Sequence, residues 1–322
     1  MKIVYIGSGE FGIECLNALV RSGNSPELII TQMPQPAGRG RKLTPTPVAC
    51  WTAQQKVAIP YIETDNVNTP QIIDKVAALR PDLIVVIAFG QKIGNELIRL
   101  PAKSAINVHA SLLPKYRGAA PINWAIINGE QQTGISIITL AEKMDAGDIL
   151  AQVKTDIGPD ETAGRLHDRL AQIAAPLLIE TIQKITAGSI AYIPQDHSKA
   201  TLARKLKKTD GFMDFTEPAL SLRRKILGLW PWPGASAVYT SKKTSKACRA
   251  TIALAEVVET ANLQQLLPGT LDENLNVICG QNALKIAKIK PDGANLMDFK
   301  DFINGRATKP GDLFVKIDNQ NI

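Results

Sequence analysis

Short apolar runs alternate with amphipathic stretches along the first 150 residues, and this alternation constrains the fold more than any other feature. Residues 2–7, 27–31, 83–89, 104–109, 134–140 and 149–156 read as strands. The run Leu83-Ile84-Val85-Val86-Ile87-Ala88-Phe89 has no polar residue, the pattern of a strand buried on both faces. Residues 11–21, 47–56, 70–79 and 120–128 carry helical spacing. In the first of these, Phe11, Cys15, Leu19 and Val20 share one face. Strand–helix alternation predicts an α/β domain with a doubly wound, mainly parallel sheet. Such sheets hold their sites at the carboxyl ends of the strands.

The pattern then changes. Residues 162–186 repeat apolar side chains at helical steps, with Pro176 inside the run and expected to kink it. Residues 188–209 turn polar and basic and read as a linker. From residue 211 onward come short strands with turn signals, at 235–239, 250–256, 269–272, 276–279 and 284–290. They predict a small barrel or sandwich. The expected organisation is a domain over 1–188, a basic linker over 189–209 and a second domain over 210–322, and 322 residues suit two domains.

Composition narrows the function. The chain is 45% hydrophobic and 21% charged, which excludes a mostly disordered protein. No apolar run approaches the roughly 20 residues of a membrane span, and residues 1–7 lead directly into a strand rather than a secretory signal. A cytoplasmic protein is expected. Cys15, Cys50, Cys248 and Cys279 form no C-x-x-C pair, so they read as small apolar residues rather than a zinc site or disulfide framework. The net charge is +7, and residues 201–322 hold 18 Lys+Arg against 12 Asp+Glu. A basic C-terminal part points to a polyanionic partner.

Three motifs carry chemistry. Gly7-Ser8-Gly9-Glu10-Phe11-Gly12 matches a dinucleotide fingerprint after a strand and before a helix. The second strand ends Ile29-Ile30-Thr31-Gln32, without the ribose-binding acid, so a tight turn beside a ligand cleft is the stronger reading. An NAD-dependent oxidoreductase stays as a rival class. Residues 33–47 form a long loop rich in proline and glycine, with Arg39, Arg41 and Lys42 available to phosphates. No Walker lysine occurs. The third motif is Asn107-Val108-His109. Residues two apart on a strand face the same side, so an amide and an imidazole project together at the carboxyl end. The chain has three histidines; His167 lies in the long helical run and His197 in the linker. The segment Asp145-Ala146-Gly147-Asp148 offers a carboxylate that could orient the His109 ring.

The segment from Asn107 to Pro114, followed by Arg117-Gly118-Ala119-Ala120-Pro121-Ile122, resembles the core motif of the folate-dependent formyltransferases. Asp145-Ala146-Gly147-Asp148 resembles their aspartate loop, although Met144-Asp145-Ala146 stands where Leu-Asp-Thr is common. Residues 36–43 and Trp230-Pro231-Trp232-Pro233-Gly234 resemble the members that act on a charged tRNA. The resemblance implies a Rossmann-like catalytic domain and a smaller, OB-like β-barrel that helps hold tRNA. It implies 10-formyltetrahydrofolate as donor, initiator methionyl-tRNA as acceptor and a monomer; no metal is expected, because the sequence lacks the ligand clusters for one. It makes Asn107, His109 and Asp145 the catalytic trio. Ser111, Leu112, Leu113, Pro114, Phe89, Gly90 and Gln91 would meet the folate. Arg39, Arg41 and Lys42 would read the acceptor end, and Arg204, Lys205, Lys207 and Lys208 the stem. Family members that formylate a sugar nucleotide or glycinamide ribonucleotide share the trio; the Gly-Arg-Gly-Arg-Lys loop and the basic C-terminal part favour tRNA. A non-catalytic RNA-binding protein would have no need of the trio.

Overall fold

The computed structural model describes residues 1–37, 40, 42–260 and 266–318. The chain divides into two compact units: Met1–Pro121, Gln132–Asp156 and His167–Arg204 form the first, and Ile122–Gln131, Ile157–Leu166 and Lys205–Ile322 the second. The elements up to residue 204 are β1 (Ile3–Gly7), α1 (Ile13–Arg21), β2 (Leu28–Gln32), β3 (Gln35–Ala37), β4 (Lys42–Thr44), α2 (Pro47–Ala53), β5 (Tyr61–Thr64), α3 (Pro70–Leu79), β6 (Leu83–Ile87), α4 (Asn95–Ile98), β7 (Ser104–His109), β8 (Arg117–Gly118), α5 (Pro121–Ile127), β9 (Gln132–Thr139), β10 (Ile149–Asp156), α6 (Ala163–Ala187) and β11 (Leu202–Ala203). They are followed by α7 (Ala219–Leu229), β12 (Ala235–Thr240), β13 (Ala247–Val258), β14 (Val277–Ile278), β15 (Ala283–Pro291), β16 (Met297–Asp298), α8 (Phe299–Arg306) and β17 (Leu313–Val315).

The first unit is built on a seven-stranded sheet of order β10-β9-β7-β6-β1-β2-β5. Its five strands from β7 to β5 are parallel; β9 and β10 extend it antiparallel. This is the mainly parallel sheet that the alternation predicts. All five residues of β6 are buried, and each large aliphatic side chain so placed contributes about 1.5–3 kcal/mol. The chain runs outward from β1 through β2 to β5 and returns to β6 on the other side of β1. That reversal opens a crevice at the carboxyl ends of β1 and β6. Ser8 and Gly9 N–H groups donate to the Ala88 carbonyl, at 3.3 and 3.1 Å, and tie the two strand ends together.

Packing accounts for the glycine-rich turn that follows β1. A Cβ at Gly12 would lie 1.9 Å from the Tyr5 hydroxyl. Tyr5 is fully buried, and its hydroxyl has no hydrogen-bond partner among the described residues. Gly12→Ala is therefore expected to destabilise the protein by about 1–3 kcal/mol, the usual cost of overpacking. Tyr5→Phe removes an unpaired buried hydroxyl as well as the clash. It should leave the fold at least as stable and should absorb most of the Gly12→Ala penalty. Urea unfolding of the two single variants and the double variant checks this, and strictly additive losses would contradict it.

The second unit is a nearly closed antiparallel barrel with strand order β14-β15-β13-β12-β17. Isolated bridges Thr270–Leu313 and Leu271–Val277 join its two edges, which is how residues 269–272 take part. In its core Phe299 stacks on Phe302, Tyr239 meets Phe302 edge-on, and Phe314 packs at a tilt against Tyr239 and Phe215. All four cysteines are free thiols. Burial pushes the Cys15 and Cys279 thiols up to about 12, so both stay protonated and behave as apolar side chains. Pro176 sits inside α6, and no helix among the described residues is long and apolar enough to cross a membrane.

Candidate active site

β7 delivers Asn107 and His109 to the carboxyl edge of the sheet, as the period of a strand requires. The loop between β9 and β10 carries Asp145 back over them. Asn107 Nδ2 donates to Asp145 Oδ1 at 3.3 Å. The Gly118 N–H donates to Asp145 Oδ2 at 2.8 Å. Asp145 Oδ2 lies 3.7 Å from His109 Nδ1, and the two side chains are only 10% and 7% exposed. The three residues expected to form a trio are thus brought together.

The tautomer of His109 follows from one contact. Its Nε2 lies 2.9 Å from the Tyr116 carbonyl, a group that can only accept, so Nε2 carries the proton. In the neutral ring Nδ1 then holds a lone pair and faces the carboxylate. The ring can take a proton at Nδ1 and return it, with Asp145 beside the resulting imidazolium. The Nε2 hydrogen is spent on that carbonyl, and the nitrogen facing Asp145 is the one left to accept a proton.

The aspartate loop owes its course to two special backbone positions. Asp145 adopts φ 53°, a left-handed conformation that Asp tolerates better than most residues. At Gly147 a Cβ would stand 1.8 Å from the Thr139 carbonyl oxygen. The loop can lie against β9 only because that atom is missing. Thr139 holds the next residue, its Oγ1 accepting from the Asp148 N–H at 2.9 Å.

The residues expected to meet folate divide into a surface and its backing. Ser111 is fully buried and its hydroxyl donates to the Lys115 carbonyl at 2.7 Å. The Leu113 N–H donates to Ser136 Oγ, which donates in turn to the Ser111 carbonyl; Gln152 Nε2 donates to the Leu113 carbonyl. Leu113 and Phe89 are buried, and Phe89 belongs to the sheet's core. The Gln91 amide is spent on the Val67 N–H and the Asp65 carbonyl, at 3.0 Å each. Leu112 and Pro114 are half-buried and Gly90 is exposed, so these three remain at the surface. Ser111, Leu113 and Phe89 are buried, and Gln91 is half-buried with its amide already bonded.

The cations show less organisation. Lys42 is exposed on β4, and Arg39 and Arg41 lie outside the described residues. Arg204, Lys205, Lys207 and Lys208 are all exposed. Among the described residues no group of three or more His, Cys, Asp or Glu side chains is placed to hold a metal ion.

The segment read as a linker does more than connect. Up to Arg204 it clusters with the first unit. Ile193 bridges to Ile149, and β11 pairs in parallel with β8. The Thr201 hydroxyl accepts from the Tyr116 N–H at 2.8 Å. Gln195, only 7% exposed, contacts both the aspartate loop and Arg117. Sequence reasoning missed Gln195 and Thr201, and placed Arg117 in the core motif without giving it a role. Their partners are distant in sequence, and a polar stretch gives no periodic signal for such contacts.

Residues 1–182 match the model of the formyl transferase family, and residues 205–307 match that of the formyl transferase C-terminal domain. The chain belongs to the formyl transferase family. A methionyl-tRNA formyltransferase from Alkaliphilus oremlandii (strain OhILAs) is 38% identical, over 97% of this chain and 99% of its own length. One from Geobacter sulfurreducens is also 38% identical, over 97% and 96%. Among solved structures, an N-formyltransferase from Helicobacter canadensis, determined with folinic acid and dTDP-3-aminofucose, superposes with TM-score 0.62 at 15% identity, covering 92% of this chain and all of that one. HypX from Aquifex aeolicus, determined with tetrahydrofolic acid, reaches 0.61 at 15% identity; the match covers 96% of this chain but 48% of HypX. At such identities the likeness concerns the formyl transferase fold. The full-length match to curated formyl transferases makes this chain a formyl-transferring enzyme.

Proposed function

We propose that this chain transfers the formyl group of 10-formyltetrahydrofolate to the α-amine of initiator methionyl-tRNA, supplying the formylated starter of translation. In this reading it works as a cytoplasmic monomer. A catalytic domain (1–188) and a tRNA-binding barrel (210–322) flank the basic 189–209 segment. The convergence of Asn107, His109 and Asp145 at the carboxyl end of β7 supports formyl transfer, and the observation that favours tRNA as the acceptor is the near full-length similarity to methionyl-tRNA formyltransferases.

The reaction is acyl transfer between two nitrogens. The neutral α-amine bonds to the formyl carbon, and the carbonyl oxygen becomes anionic. One Nδ2 hydrogen of Asn107 bonds to Asp145; the other has no partner among the described residues and can meet that oxygen, and a pre-aimed donor of this kind is worth about 3–4 kcal/mol. As the new C–N bond forms, the amine sheds a proton to His109 Nδ1. Asp145 Oδ2 stabilises the imidazolium. The proton passes to N10 as its bond to the formyl carbon breaks, leaving tetrahydrofolate and the formylated amine. Leu112, Pro114 and Gly90 offer the surface for the folate ring. Lys42, with Arg39 and Arg41, reads the acceptor end, while Arg204, Lys205, Lys207 and Lys208 hold the stem.

The test is acceptor choice. The purified protein and 10-formyltetrahydrofolate are offered initiator methionyl-tRNA, an amino-sugar nucleotide or glycinamide ribonucleotide. Formylation of the tRNA alone is expected, and preference for either small acceptor would overturn the reading. A companion prediction concerns the basic loop. Deleting residues 36–43 should reduce tRNA formylation at least about tenfold, since it removes several phosphate contacts, and should leave folate binding nearly unchanged. Equal loss of both would make the loop structural.

A further inference from the structure

We infer that Gln195 is a positioning residue for formyl transfer, one that fixes the catalytic carboxylate from the far side of its loop. The inference rests on the reading of Asp145 just given.

The Gln195 side chain is bonded on all sides. Its Nε2 donates to the Asp145 carbonyl at 2.9 Å and to the Gly147 carbonyl at 2.7 Å. Both partners can only accept, which settles the orientation of the amide. Its Oε1 accepts from Arg117 Nε at 3.2 Å and from Nη2 at 2.6 Å. The two carbonyls bracket the turn in which Asp145 takes its left-handed conformation. Holding both of them fixes the direction in which the Asp145 side chain leaves the backbone.

The contacts close a circuit. The Asp145 carboxylate accepts from the Gly118 N–H. The residue before Gly118 is Arg117, which grips Gln195, and Gln195 grips the backbone of Asp145. Carboxylate and backbone are thus held by one short stretch of chain, through one amide. The segment after α6 carries that amide and is itself bonded to the same stretch, by the β8–β11 pairing. Gln195 touches none of the reacting atoms. It acts through Asp145.

Two variants test this by steady-state kinetics with initiator methionyl-tRNA and 10-formyltetrahydrofolate. Gln195→Ala removes both halves of the contact. Gln195→Glu keeps an acceptor for Arg117 but turns an oxygen toward two carbonyls, so it isolates the Nε2 contribution. Both should lower kcat by about 10–100-fold, the scale of a displacement near 1 Å at a reacting centre. Both KM values should stay within about twofold, because the folate and tRNA surfaces are untouched. A kcat within about twofold of wild type in both variants would overturn the inference, as would a loss carried by KM alone. Loss of cooperative thermal unfolding in the isosteric Gln195→Glu variant would do so as well, by making the residue structural. Failure of the underlying reading looks different: the wild-type protein itself would not formylate the tRNA.

Discussion

Asp145→Asn should lower kcat by about 10²–10⁴-fold, the range expected for loss of one acid–base group, without disturbing the loop that carries it. The amide oxygen of Asn can still accept from the Gly118 N–H, so the anchor now at 2.8 Å is kept, while the amide nitrogen replaces the acceptor of the Asn107 bond and gives it up. The charge facing His109 Nδ1 is lost. An imidazolium formed there during the reaction would then have no counter-ion among the described residues in a nearly buried site, where charge pairing matters most. His109→Ala should cost a similar factor, because no other described base stands in the trio. Since the two residues act as a pair, the double variant should be little worse than either single one. Multiplying losses would mean that they act independently. Initial rates at saturating tRNA, with melting temperatures checked for each variant, decide the matter.

Gly147→Ala should be about as damaging, a loss of about 10²-fold or more in kcat, although it changes none of the three side chains of the proposed trio. The added Cβ would meet the Thr139 carbonyl oxygen, backbone that cannot turn aside. The loop must lift from β9, breaking the Asp148 N–H to Thr139 Oγ1 bond and carrying Asp145 away from Gly118 and Asn107. A shift of about 1 Å is enough for that factor. Far-ultraviolet circular dichroism should be unchanged, since the loop is small against the sheet. Wild-type turnover in this variant would mean that the loop's path does not govern the carboxylate.

The pattern of success along the chain follows from where information resides. Strands such as β1 and β6 are buried on both faces, and their apolar runs announce them locally. Asn107 and His109 could be paired from the strand period alone. β5 went unread because it is half-exposed and its Tyr-Ile-Glu-Thr sequence has no apolar run. The short strands β8 and β11 exist only because each supplies the other's partner across 85 residues or so of chain, as with Tyr116 and Thr201. α7 and α8 lie among turn-rich strands whose pattern dominated the reading of that region. The tautomer of His109 was beyond any sequence argument: it depends on a carbonyl seven residues away whose direction is set by the Tyr116 backbone, at φ 62°.

The most direct test of the central claim is a crystal structure with a non-transferable formyl-folate analogue bound. The account predicts the formyl oxygen about 3 Å from Asn107 Nδ2 and the formyl carbon beside the His109–Asp145 pair, with the ring system against Leu112, Pro114 and Gly90. A formyl group lodged away from these three side chains, at the glycine-rich turn or elsewhere, would contradict it.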